Sequence, residues 1–151
     1  MGSEGSAKLP DGLSGNQRER SQPFAMLLDD EPDTAEMYRL GLEAGGFRVA
    51  VATEAAELFE AIEHEVPDIL VLDYRLRGMT AVDVLDVLRK DTRTAKVPVF
   101  ILSNYLGDQD GAIDRVFAAG VLAWLRKPAT PPKALARKLL QAVSRPRRPK
   151  G

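Results

Sequence analysis

The sequence predicts an α/β fold, a doubly wound five-stranded parallel sheet with helices on both faces. Three observations carry that expectation. Ile69-Leu70-Val71-Leu72 is an unbroken apolar run, as expected of a strand buried on both faces. Runs of this kind alternate with amphipathic segments five times along the chain, and such alternation gives parallel strands joined by right-handed crossovers. Four of the five runs end in a side chain with chemical capacity, and the C-terminal strand edge of an open α/β sheet is where ligands bind.

Taken in order, Phe24-Ala25-Met26-Leu27-Leu28 is the first buried strand, and it runs into Asp29-Asp30-Glu31. Pro32 stops it and leads into a helix capped by Thr34 or Asp33, with Met37, Leu40, Leu42 and Ala44 as apolar positions and Gly45-Gly46 at its end. Residues 47–52 alternate, as an edge strand with one wetter face does. Thr53 caps a helix over Ala55, Leu58, Phe59 and Ile62, Pro67 punctuates, and the central strand follows to Asp73. A helix over Val82, Leu85, Val87 and Leu88 ends near Asp91, and residues 97–102 form another buried strand that ends at Ser103. A less regular helix (Ile113, Val116, Phe117) ends at Gly120. The fifth strand, residues 121–125, then leads into Arg126-Lys127-Pro128. Thr130 caps the last helix, with Pro131 at its first position and Leu135, Leu139, Leu140 and Val143 facing in.

This pattern places one domain at residues 23–144, between a polar N-terminal extension (1–22) and a basic, proline-rich tail (145–151), both expected to be disordered. No apolar stretch approaches the ~20 residues of a membrane span, and no signal-peptide pattern opens the chain, which points to the cytoplasm. Without cysteine there is no disulfide, thiolate metal site or cysteine nucleophile. His64, the single histidine, sits in the polar Glu63-His64-Glu65 with no supporting cluster and reads as a solvated surface residue. The net charge of -1 hides an asymmetry: from Pro131 onward there are 7 basic residues and no acidic one, leaving 14 basic and 22 acidic groups before it. A basic tail can bind phosphates, but it reads more simply as a solvated end, which argues against a nucleic-acid partner.

The strand ends bring together Asp29 and Asp30, Asp73, Ser103 and Lys127. Clustered carboxylates repel one another and rise in pKa unless a cation neutralises them. Mg²⁺, a hard ion bound by one or two carboxylates plus waters and a phosphate, suits the set. Lys127 supplies a compact charge for phosphate oxygens and Ser103 a hydroxyl. An aspartate so flanked is equipped to accept a phosphoryl group, because such transfer needs mostly positioning and charge neutralisation.

On these motifs (Asp29-Asp30, VLDYRL with Asp73, ILSN with Ser103, LRKP with Lys127-Pro128) the chain resembles the receiver domain of bacterial two-component response regulators from about Phe24 to Val143. The resemblance implies a flavodoxin-like sheet of strand order 2-1-3-4-5 and Asp73 as phosphoacceptor. It implies Mg²⁺ held by Asp30, Asp73 and the backbone carbonyl of Arg75, with Asp29 acting through water. Ser103 and Lys127 would contact the phosphoryl group, the Lys127-Pro128 bond would be cis, and Ser103 and Trp124 would form the switch. A histidine kinase or phosphotransfer protein would be the donor. The output would pass to a protein partner through the fourth helix, fifth strand and fifth helix, with a homodimer left open. Since only about eight residues follow the last helix, the domain reads as stand-alone, and as a phosphoryl acceptor rather than an enzyme.

The chain also departs from the family pattern. Arg77 and Ala81 stand where the family commonly has proline and glycine, which puts the loop after Asp73 in question, and Ala129 replaces a frequent aromatic. Arg75 and Tyr105, two residues beyond Asp73 and Ser103, are bulky enough to screen an attacking water, so a slowly decaying phosphoryl state is expected. Gly107 and Gly111 fall in an interval about two residues longer than usual, before the fourth helix. The alternative reading is a phosphate-independent interaction module. An aspartate-nucleophile phosphatase is disfavoured because Arg75, not an acid, follows Asp73 by two.

Overall fold

Phe24–Leu28 (β1) and Ile69–Asp73 (β3), the two uninterrupted apolar runs, are adjacent parallel strands in the computed structural model, which describes residues 22–104 and 111–144. Arg48–Ala52 (β2) pairs with the far side of β1, and Val99–Ser103 (β4) and Val121–Arg126 (β5) continue the sheet beyond β3. The order is β2-β1-β3-β4-β5, all parallel, as the resemblance implies. The wetter β2 is indeed at an edge. Expectations for residues 1–21, Tyr105, Gly107 and the tail 145–151 lie outside the described residues.

Strand alternation divides the core in two. On one face Met26, Leu28, Leu70, Leu72, Val99 and Ile101 meet the helices Ala55–His64 (α2), Ala81–Lys90 (α3) and Ala112–Ala118 (α4). On the other, Ala25, Leu27, Ile69, Val71, Phe100 and Leu102 meet Pro32–Ala44 (α1) and Pro132–Ser144 (α5). Leu70 and Leu72 are fully buried, and truncating either to alanine removes contacts worth about 2–5 kcal/mol. His64 is exposed at the end of α2.

Several helix starts differ from expectation. α1 begins after Glu31 with Pro32 as its first residue, because a proline lacks the N–H that a first turn leaves unpaired anyway. Thr34 instead donates its hydroxyl to Glu31 Oε1 at 2.7 Å. This phase buries Ala35, Tyr38 and Leu42, so Met37 and Leu40, expected to face inward, are 47% and 53% exposed. At α2 the N-cap is Glu54 rather than Thr53, whose N–H and hydroxyl both donate to Glu57 Oε1 (2.7 and 3.0 Å). α5 starts one residue later than expected, at Pro132. The cause is steric: a residue preceding proline is pushed out of the α region, which holds Pro131 outside the helix.

The loop after Asp73 has a definite form despite Arg77 and Ala81. Arg75–Leu76 pairs antiparallel with Met79–Thr80 around Gly78, whose φ of 73° suits a residue without a Cβ. Thr80 then opens α3 with a capping box: it accepts from Val82 N–H (3.2 Å) while its own N–H donates to Asp83 (3.0 Å). Ala81 is buried and its N–H donates to the Tyr74 carbonyl, tying α3 to the end of β3. The short α4 follows Gly111 at φ 70°.

Candidate functional site

Parallel register is what assembles the site. β1 ends at Leu28, beside Leu72 of β3, so Asp29 and Asp73 emerge together at the C-terminal edge. Asp73 in turn pairs with Leu102, which places Ser103 one residue further along the neighbouring strand, opposite Arg126. Lys127 follows β5 directly and begins a short 3-10 turn, Lys127–Ala129. Residues 98 positions apart thereby meet: Lys127 Nζ donates to Asp29 Oδ2 at 2.8 Å and lies 3.5 Å from Asp73 Oδ2.

Asp29, Asp30 and Asp73 each offer a carboxylate oxygen within 4.8 Å of the others. Asp29 is buried and already engaged, since its Oδ1 accepts from Glu31 N–H at 3.0 Å. Asp30 is half-buried and faces a cleft of about 460 Å³ that Asp73, Arg75, Arg77, Asn104 and Lys127 also line. Burial raises Asp73 from an ordinary 3.8 to about 7; Lys127 pulls the other way, while the charges of Asp29 and Asp30 push further up. Burial opposes the charge on Lys127, yet its bonds to Asp29 and Asp73 hold its pKa above the usual lysine range. The donor set suits a compact divalent cation. Three convergent carboxylates, one of them hard to ionise alone, match the oxygen preference of Mg²⁺, and Arg75 lines the same cleft.

Trp124 is half-buried on β5, where it pairs with Ile101, and its ring lies 5.0 Å from that of Tyr74, the residue next to Asp73. Ser103 is fully buried. The structure thus brings Asp29, Asp30, Asp73 and Lys127 into one cluster, with Ser103 and Trp124 on the adjoining strands. One implied feature is overturned: the Lys127-Pro128 bond is trans, as are all peptide bonds among the described residues. The 3-10 turn accounts for this, because Thr130 N–H bonds the Lys127 carbonyl (3.1 Å) and directs the chain back toward α5 with a trans linkage. Sequence reasoning gave Arg77 and Asn104 no role, although both line the cleft. The one available signal was their place just past two strand ends.

Residues 25–139 match the family described as the response regulator receiver domain. Among curated proteins, the DNA-binding response regulator MtrA of Mycolicibacterium smegmatis is 31% identical over 112 residues, covering 74% of this chain and 47% of that protein. The phosphate regulon transcriptional regulatory protein PhoB of Pseudomonas aeruginosa is 28% identical over 120 residues, covering 80% and 51%. The chain therefore spans about half the length of these relatives. Among solved structures, a putative response regulator from Chloroflexus aurantiacus superposes with a TM-score of 0.72 at 26% identity, covering 82% of this chain and 99% of that one. A chemotaxis response regulator of Vibrio cholerae has the same fold, with a TM-score of 0.70 at 22% identity and coverage of 81% and 98%. Among the described residues no helix is long and apolar enough to cross a membrane.

Proposed function

The chain belongs to the receiver-domain family of response regulators, signalling domains rather than classical enzymes, and from that premise we propose that it accepts a phosphoryl group on Asp73. The observation that carries this reading is the placement of Lys127 Nζ between Asp29 and Asp73, beside three converging carboxylates. The Asp73 carboxylate attacks phosphorus, an O–P bond forms, and the donor's bond to phosphorus breaks with the electron pair leaving on the donor. A phosphohistidine on a kinase or phosphotransfer protein fits as that donor. Asp30, Asp73 and the Arg75 carbonyl would hold Mg²⁺, with Asp29 one water away; the ion would favour the ionised form of Asp73 and neutralise phosphoryl charge. Lys127 would neutralise a second phosphoryl oxygen and Ser103 would donate its hydroxyl to a third.

The new charge also supplies a signal. Ser103 turns toward the phosphoryl group, Trp124 leaves its place against Tyr74 and repacks, and the α4-β5-α5 face changes for a protein partner. Phe117 of α4 and Leu122 of β5, both substantially exposed, give that face apolar area for binding.

Intact mass after incubation with acetyl phosphate and Mg²⁺, with the emission of the single tryptophan followed alongside, tests both parts. The expected result is one added phosphoryl group, absent in Asp73→Asn, with a change in Trp124 emission. Unchanged mass, together with no response to Mg²⁺ and beryllofluoride, would overturn the reading in favour of a phosphate-independent interaction module.

A further inference from the structure

Tyr38 is an unusual residue for the buried face of α1. It is 1% exposed among apolar side chains, yet it carries a hydroxyl, and burial raises the pKa of that hydroxyl so that it keeps its proton. The hydroxyl donates to the Thr130 carbonyl at 2.8 Å, in a fully buried bond across 92 residues, and lies 3.5 Å from the Lys127 carbonyl. Thr130 is itself buried, and its N–H bonds back to the Lys127 carbonyl at 3.1 Å. The Lys127–Ala129 turn is thus closed once by the backbone and tied a second time by a side chain from another element.

The rest of α1 backs this tie. A Cβ on Gly41 would come within 2.2 Å of Pro132 Cβ, and one on Gly45 within 2.7 Å of Ala136 Cβ. The helix therefore presses directly on the chain that leaves the turn, and Tyr38 fixes the turn against that support. A lysine side chain has four flexible bonds, so the direction of its ammonium depends on a fixed Cα. Here Lys127 must reach Asp29 at 2.8 Å and Asp73 at 3.5 Å at once.

We propose that Tyr38 is a positioning residue for phosphoryl transfer, its hydroxyl holding the turn at 127–130 so that the Lys127 ammonium stays poised between Asp29 and Asp73. The proposal rests on the reading of Asp73 as phosphoacceptor. Tyr38 touches neither the acceptor nor the incoming group; it acts through the backbone of Lys127.

The test is Tyr38→Phe, which removes only the hydroxyl, in the full chain. In metal-free protein labelled with ¹⁵N-lysine, hydrogen exchange at the Lys127 ammonium should accelerate several-fold. With acetyl phosphate and Mg²⁺, the rate of phosphorylation should fall on the order of tenfold, as a displaced catalytic group requires. In a Lys127→Ala background the same substitution should leave the residual rate unchanged, an outcome that mere loss of stability would not produce. Should Tyr38→Phe melt below the assay temperature, the same variant is compared with the wild type at a temperature where both are folded. Unaltered ammonium exchange, or an equal loss of rate with and without Lys127, would overturn the proposal. A wild-type chain that takes up no phosphoryl group would overturn the functional reading instead, and ammonium exchange would still decide whether Tyr38 positions Lys127.

Discussion

Replacing Asp73 by asparagine in the metal-free protein probes the electrostatic design of the site. The carboxyl rises from 3.8 to about 7, first through burial and then through the neighbouring charges of Asp29 and Asp30. Each pH unit of that rise corresponds to about 1.4 kcal/mol between the protonated and ionised forms. Ionised Asp73 therefore costs the folded state up to about 4 kcal/mol, a ceiling that relaxation and water penetration lower to about 2–4 kcal/mol. The sign follows from linkage. Because the folded pKa lies above the unfolded one, the folded state binds the extra proton between about pH 4 and 7, and wild-type stability is lost as pH rises through that window. Asparagine has the same shape and no charge, so the variant lacks this loss. Urea unfolding in the presence of a chelator should show it more stable than wild type by about 2–4 kcal/mol at pH 8, with the difference closing toward pH 4. Added Mg²⁺ should then narrow the gap at pH 8 by stabilising the wild type more than the variant. A variant no more stable than wild type at pH 8, or a gap independent of pH, would refute the reasoning.

Three further substitutions test the frame around the site. Arg89 donates from Nε to the Ala119 carbonyl (2.7 Å) and from Nη1 to those of Thr94 and Val97 (2.9 Å each), clasping two connecting segments at the opposite end of the sheet. Arg89→Ala should cost about 2–4 kcal/mol in urea unfolding, and Arg89→Lys should recover little, since one ammonium cannot span these acceptors; a loss below about 1 kcal/mol would show the clasp to be redundant. Gly41→Ala gains up to about 1 kcal/mol of helix propensity but forces α1 away from Pro132, so a net lower melting temperature is expected and a higher one would disprove the close approach. Thr80→Ala should cost about 1 kcal/mol and raise amide exchange selectively in the first turn of α3; uniform exchange would count against the capping box.

Much of this architecture is readable directly from the residues. β1 and β3 are legible because a strand buried on both faces needs no periodic partner pattern, and their final acids mark the active edge without any long-range information. The cluster of Asp29, Asp30, Asp73 and Lys127 follows once the strands are parallel and neighbouring. The inward face of α1 was less accessible. Met37 and Leu40 are apolar and evenly spaced, whereas the buried Tyr38 hydroxyl is satisfied by a carbonyl 92 residues away that no local pattern announces. The hairpin at Arg75–Leu76 and Met79–Thr80 is too short to show a period, and only Gly78 hints at it. The cis bond expected at Lys127-Pro128 came from resemblance rather than from residues, and the local turn decided otherwise.

The 98 positions between Asp29 and Lys127 also set an order in time. During synthesis β1, β2 and β3 leave the ribosome first and carry all three carboxylates, and the ammonium that lies between two of them follows only after β5. On the reading of Asp73 as phosphoacceptor, the lysine that completes the site is therefore the last of its members to be made.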